Sequence, residues 1–366
     1  MKRVLQFFGT RVGIIITGAV IGLGAVLLAK FGNPVNMGIC VACFVRDISG
    51  ALGLHRAAVV QNLRVEIPAF VLGSMLAALL AGEFKPRTGS APLVRFVLGA
   101  LSMIGALVFL GCPWRAWLRL AGGDWNALFG IAGLAVGILI GIVFLKRGYS
   151  LGRNYAAPKA LGWVMPAIAL GLLALAVFQP LFGRNAEGAA IGPIFRSVSG
   201  PGSMAAPLAL SLGIGLIVGF LAQRSRFCTV GAVRDLVLFR DPHLALGIGA
   251  LAVTAFIANL AFGSFKPGWT GQAVAHTDGL WNFGGMVMAG LAFTLAGGCP
   301  GRQLFLSGEG DADAGVFVMG MLMGAAFSHN FNLASSTAGV SPYGPAAVIF
   351  GLVVLAAIGL GFKERT

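Results

Sequence analysis

The sequence predicts an all-α polytopic membrane protein with about nine or ten transmembrane helices, short re-entrant half-helices and two inverted repeats. Three observations lead there. Of the 366 residues, 57% are hydrophobic and only 10% charged, where a soluble domain carries roughly a quarter charged. Apolar runs of about 20 residues, the length that crosses a bilayer as helix, recur along the whole chain. A cysteine-bearing motif pair also occurs twice, once in each half.

The first two observations set the class. Barrel strands would be about ten residues long and alternating, so continuous apolar runs exclude a β-barrel. The 56 glycines and 16 prolines sit inside apolar runs, where small residues let membrane helices approach closely. A net charge of +14 would suggest nucleic acid in a soluble protein. Here the basic residues fall mostly between apolar runs, so they are expected to set orientation and meet anionic lipid, with no nucleic-acid partner.

Taken in order, the runs lie at 12–29, 67–82, 96–111, 125–145, 162–182, 204–222, 243–263, 280–298, 314–332 and 343–362. Lys2, Arg3 and Arg11 before the first run imitate a signal peptide, but no convincing cleavage site follows and the run is long enough to span. With the N-terminus inside, 17 of the 26 basic residues collect on the interior side. The positive-inside rule therefore places both termini in the cytoplasm, which in a prokaryote means the inner membrane. No Asp or Glu falls within a run as drawn, which argues against a relay of protons through buried carboxylates. No G-x-x-x-x-G-K-[ST] phosphate loop is present.

The repeat is the most informative feature. Cys40-Val41-Ala42-Cys43-Phe44-Val45-Arg46-Asp47 aligns with Cys228-Thr229-Val230-Gly231-Ala232-Val233-Arg234-Asp235. Some 70 residues on, Gly111-Cys112-Pro113-Trp114-Arg115 aligns with Gly298-Cys299-Pro300-Gly301-Arg302. Gly123-Asp124 and Gly310-Asp311 then keep register, as do Gly133 and Gly137 with Gly320 and Gly324. The halves are read as 1–185 and 186–366, one integral membrane unit. Five runs separate equivalent points, and an odd number inverts the second copy, an arrangement that places transport sites where the repeats meet.

The cysteine segments are short and broken by Gly and Pro, which suits re-entrant half-helices lining a cavity. Pro113 and Pro300 directly follow a cysteine, and proline is favoured at the first helical position. Cys112 and Cys299 are thus expected at helix N-caps, facing free N–H groups that attract anions. A lone buried cysteine is ordinarily a small hydrophobe; four at paired positions point to a pathway for soft anions. Arg46, Arg115, Arg234 and Arg302 recur beside them. They either attract anions at the pathway mouths or pair with Asp47, Asp235 and neighbouring carbonyls. Cys43 has no counterpart in the second motif and is expected as a variation or an additional ligand of the pathway; with Cys40 it also forms C-x-x-C, so a membrane thiol–disulfide oxidoreductase is the alternative reading. The four histidines show no ligand spacing, and no metal, cofactor or catalytic constellation is expected; a soft-metal exporter is the weakest alternative.

The motifs Gln223-Arg224-Ser225-Arg226-Phe227-Cys228, Val233-Arg234-Asp235 and Ala296-Gly297-Gly298-Cys299 resemble the YeeE/YedE family of sulfur-compound transporters, whose best-understood members import thiosulfate. The stretch 32–43, from Gly32-Asn33-Pro34 to Cys43, and 111–123 look like its selenium-metabolism branch. The resemblance implies an hourglass-shaped helical protein with about nine spans plus half-helices. It also implies uptake of a small sulfur or selenium anion along Cys40, Cys112, Cys228 and Cys299. With no ATP site or buried carboxylate in view, the drive is expected from a channel-like relay or from capture by a cytosolic sulfur-carrier protein.

Overall fold

The computed structural model describes residues 6–178, 183–184, 190–191 and 194–363. Among them, fourteen helices of nine residues or more make up the fold. The first seven are α1 (Arg11–Lys30), α2 (Val41–Ala51), α3 (Glu66–Ala81), α4 (Pro92–Phe109), α5 (Pro113–Ala121), α6 (Ala127–Lys146) and α7 (Val164–Phe178). The second seven are α8 (Leu208–Ser225), α9 (Thr229–Phe239), α10 (His243–Ala261), α11 (Gly279–Leu295), α12 (Pro300–Gly308), α13 (Ala312–Asn330) and α14 (Gly344–Gly361). Each apolar run read from the sequence is helical to within a few residues. Eight spans, some of them continued by a half-helix, are long and apolar enough to cross a bilayer; α3 and α7 are shorter apolar helices. The expected boundary between the halves, 185/186, lies outside the described residues, as do Lys2, Arg3 and Arg365.

Long helices therefore alternate with short ones in one order, used twice: the pattern from α1 to α7 recurs from α8 to α14. Helix pairing exchanges under that correspondence. α6 packs on α11 while α4 packs on α13, and α1 packs on α10 while α3 packs on α8. Glycines make the close approaches. A Cβ on Gly133 or Gly137 would strike the Phe283 or Val287 carbonyl of α11, and one on Gly320 or Gly324 would strike the Phe96 or Ala100 carbonyl of α4. Without a hydrophobic driving force between helices in lipid, such backbone-to-backbone contact supplies much of the association.

The two halves thread the layer in opposite senses. α1 and α10 run parallel, Gly18 meeting Gly247 and Gly22 meeting Leu251. The chain entering α8 lies beside the end of α1, where the Ala206 N–H donates to Asn33 Oδ1 (2.9 Å), so α8 runs against α1. On one face the loop after α3 reaches the end of α12, Lys85 N–H donating to Glu309 O at 2.9 Å. On the other, the loop after α10 reaches the end of α5, Lys266 N–H donating to Gly122 O at 2.9 Å. The turns ending α5 and α12 rest on Gly123 and Gly310, at φ +96° and +97°, a region open mainly to glycine.

The runs as drawn hold no Asp or Glu, but two of the helices they form begin one or two residues earlier and take in a carboxylate each. The run drawn from 67 begins as a helix at Glu66, and the run drawn from 314 begins at Ala312, so Glu66 and Asp313 stand in first turns. Both are buried. Glu66 accepts from Asn33 Nδ2 and Ser211 Oγ, each at 2.8 Å; Asp313 accepts from Thr88, Gly89 and Ser90. Acidic groups are stabilised at helix N-termini by the dipole and by free N–H donors, so both read as structural clasps.

Candidate functional site

Four half-helices point their N-termini into the protein, and a cysteine caps each one. Cys40 caps α2, Cys112 α5, Cys228 α9 and Cys299 α12. For Cys112 and Cys299 the following proline fixes the first helical residue. Cys40 and Cys228 have no such proline, yet their sulfurs do the capping: Cys40 Sγ accepts from the Cys43 N–H and Cys228 Sγ from the Gly231 N–H, both at 3.3 Å. Gly111 and Gly298 sit against the side chains of Arg115 and Arg302. Two residues before each capping thiol of the second motif the backbone is left-handed, at Leu110 (φ +65°) and Gly297 (φ +86°), which turns the chain sharply into the half-helix.

The thiols come together in two pairs, each joining one motif to its downstream partner. Cys40 Sγ lies 3.7 Å from Cys112 Sγ. The Cys299 N–H donates to Cys228 Sγ at 3.5 Å. All four, and Cys43, are buried free thiols. Cys43 Sγ lies 4.0 Å from Leu110 O, at the edge of the first pair.

The recurrent arginines divide. Arg46 is bound to Asp47 (2.7 Å), which also takes Arg64 (2.7 Å), all three buried. Arg234 pairs with Asp235 at 2.8 Å. Arg302 reaches Glu309 (3.3 Å), a carboxylate shared with Arg226 (2.9 Å) and Arg87 (3.5 Å). Three of the four therefore have carboxylate partners. Arg115 differs: it is fully buried, and its guanidinium donates to the carbonyls of Leu110, Val274 (3.0 Å) and Ala273 (3.3 Å), while its Nη1 stands 3.8 Å from Cys43 Sγ. No carboxylate forms an ion pair with it among the described residues. A buried positive charge offset only by carbonyl dipoles favours an anion beside it.

Between the thiol pairs stands Trp114, in the first turn of α5. Its ring centroid is 5.6 Å from Phe227, 6.0 Å from Phe305 and 6.1 Å from Phe70. Sequence reasoning missed this residue; the signal available was that Trp114 faces Gly301 at the corresponding place in the other motif.

Residues 224–360, in the second half of the chain, match the family described as sulphur transport. The matched segment takes in Cys228, Arg234, Cys299 and Arg302, and the first motif pair lies outside it. No curated protein matches the chain.

Proposed function

We propose that the protein takes up a small sulfur- or selenium-containing anion across the bilayer, handing it along Cys40, Cys112, Cys228 and Cys299. The observation that carries this reading is the convergence of four cysteine-capped half-helices, two from each half of the chain, with their thiols in two pairs. An anion leaving water needs its hydration replaced. Free backbone N–H groups at helix N-termini, the positive ends of the dipoles and polarisable sulfur supply that replacement without a fixed high-affinity cage. Arg115 adds a buried charge beside the first pair. Arg46, Arg234 and Arg302 act differently, holding the half-helices through Asp47, Asp235 and Glu309.

The sulphur transport match over 224–360 supports the substrate class; thiosulfate and selenium oxyanions are alike in size and charge. Basic residues gathered on the face that carries Lys85, Arg87, Lys146 and Arg302 support a cytoplasmic position for that face and for both termini. A sulfur-carrier protein there would drive uptake by consuming the anion. No group in the site suggests bond-making catalysis, and the protein is read as a transporter rather than an enzyme. Cys40 Sγ is engaged by Cys112 Sγ and by the Cys43 N–H, a cap that Gly231 makes equally for Cys228, which supports capping rather than a dithiol as the role of Cys40. Purified protein in proteoliposomes, offered labelled thiosulfate and labelled selenite in parallel, tests the reading: uptake of either anion supports it, and uptake of neither removes it.

A further inference from the structure

Trp114 is one of the largest fully buried side chains among the described residues, and its indole Nε1 has no hydrogen-bond partner. A buried indole N–H ordinarily finds an acceptor, since leaving it unpaired costs free energy. The ring's neighbours belong to half-helix segments or to the wall around them. Cys112 precedes Trp114 by two residues. Phe227, 5.6 Å away, directly precedes Cys228. Gly301 follows Cys299 by two residues, and a Cβ there would come within 2.8 Å of the indole Cζ2. Phe305 on α12 and Phe70 on α3 complete an apolar cluster. The indole thus occupies the space that separates Cys40 and Cys112 from Cys228 and Cys299.

Two more polar atoms beside the second thiol pair are buried and have no hydrogen-bond partner among the described residues: Thr229 Oγ1, next to Cys228, and Gln303 Oε1, one turn beyond Cys299. Polar groups without partners therefore accompany an apolar aromatic septum between two thiol pairs.

We propose that Trp114 is the central barrier of the pathway and that its Nε1–H is a hydrogen-bond donor to the anion as it passes from the first thiol pair to the second. This inference rests on the transport reading above. With the ring in place, the way from one pair to the other leads through the cluster of four aromatic side chains. Passage requires the indole to turn out of the cluster, and the turning ring presents its N–H to the anion, so the energy lost from ring packing is recovered in a charge-assisted bond. Gly301 lets the ring sit flush against α12, and with no side chain there nothing on that helix stands in the way of the turning ring. The asymmetry of the repeat follows: one half supplies the bulky gate, the other the clearance.

Proteoliposomes carrying wild type, Trp114→Phe and Trp114→Ala are assayed for thiosulfate uptake and, separately, for iodide permeability. Trp114→Phe keeps an aromatic septum but removes the donor; its thiosulfate uptake is expected to fall about ten-fold or more, with iodide still excluded. Trp114→Ala removes the septum and is expected to pass iodide that wild type excludes. Wild-type thiosulfate uptake by Trp114→Phe overturns the donor role. A folded, monodisperse Trp114→Ala protein that excludes iodide overturns the barrier role. Should Trp114→Ala fail to fold, Trp114→Leu takes its place in the iodide assay. If wild type moves neither thiosulfate nor selenite, the transport reading falls, while the iodide comparison still decides whether Trp114 seals the protein.

Discussion

Gly301 in α12 stands where Trp114 stands in α5, and the indole of Trp114 fills the space a side chain at Gly301 would need: a Cβ there would lie 2.8 Å from the ring. The two halves of the fold are therefore alike in backbone and unlike at their centre. This one exchange places a large ring where the half-helices converge and removes any competing atom opposite it.

A methyl group at Gly301 should accordingly be costly. Gly301→Ala pushes on a ring held by Phe70, Phe227 and Phe305, and overpacking of this kind costs about 1–3 kcal/mol. Thermal unfolding in detergent should show a lowered Tm, and uptake should drop because the ring loses its clearance. A variant as stable and as active as wild type would show that the ring has room to spare.

Asp47 joins two buried arginines, Arg46 and Arg64, each at 2.7 Å. Asp47→Ala leaves both charges without a carboxylate, and breaking a buried pair in this way costs about 3–5 kcal/mol. The variant is expected to express poorly and to unfold well below wild type, which size-exclusion chromatography and a melting curve will read. Wild-type stability would mean that the contacts of Arg64 with the Met204 and Pro201 carbonyls suffice without the carboxylate.

Acid should loosen one face of the protein through Glu83. Burial raises its carboxyl, but bonds from Arg224 and Gln223 and the nearby Arg226 outweigh burial and hold it below the ordinary 4.5. A group depressed in the folded state adds stability that is complete above its unfolded pKa and is lost as pH falls through its folded one. The Tm should therefore decline as pH drops below about 4.5, and Glu83→Gln, less stable at neutral pH, should decline less steeply there. Parallel acid limbs in the two proteins would show that Glu83 contributes nothing to the acid response.

Cys43 separates transport from redox chemistry. It has no counterpart in the second motif, where Gly231 occupies its place, and its part in capping Cys40 is played by a backbone N–H. Cys43→Ala should keep most of the wild-type uptake. Loss of uptake together with dithiol oxidation in wild type would favour the oxidoreductase reading instead.

Much of the fold was legible in the sequence because the strongest physical constraint, satisfying the backbone in lipid, acts on long runs of residues. Every apolar run became a helix, and the spacing of Gly133, Gly137, Gly320 and Gly324 marked two equivalent helix contacts. Pro113 and Pro300 announced the caps at Cys112 and Cys299. The caps at Cys40 and Cys228 carried no such local mark, since a thiol accepting from the N–H three residues on depends on where the chain turns. The distant partners of Glu309, Arg87 and Arg226, and the ring cluster around Trp114 come from elements far apart in the chain, and no local pattern encodes them. Glu66 was missed by one residue of helix boundary, a distance at which composition alone does not resolve an N-terminus.

Whether the anion travels along the thiols can be decided by labelled thiosulfate and selenite uptake into proteoliposomes bearing wild type, Cys112→Ala or Cys299→Ala. Both substitutions keep the half-helix prolines; a thiol pathway requires intact, monodisperse proteins whose uptake falls about ten-fold or more, the loss of a charge-assisted contact in transit. Uptake at the wild-type rate by either variant would mean that the anion crosses without its thiol.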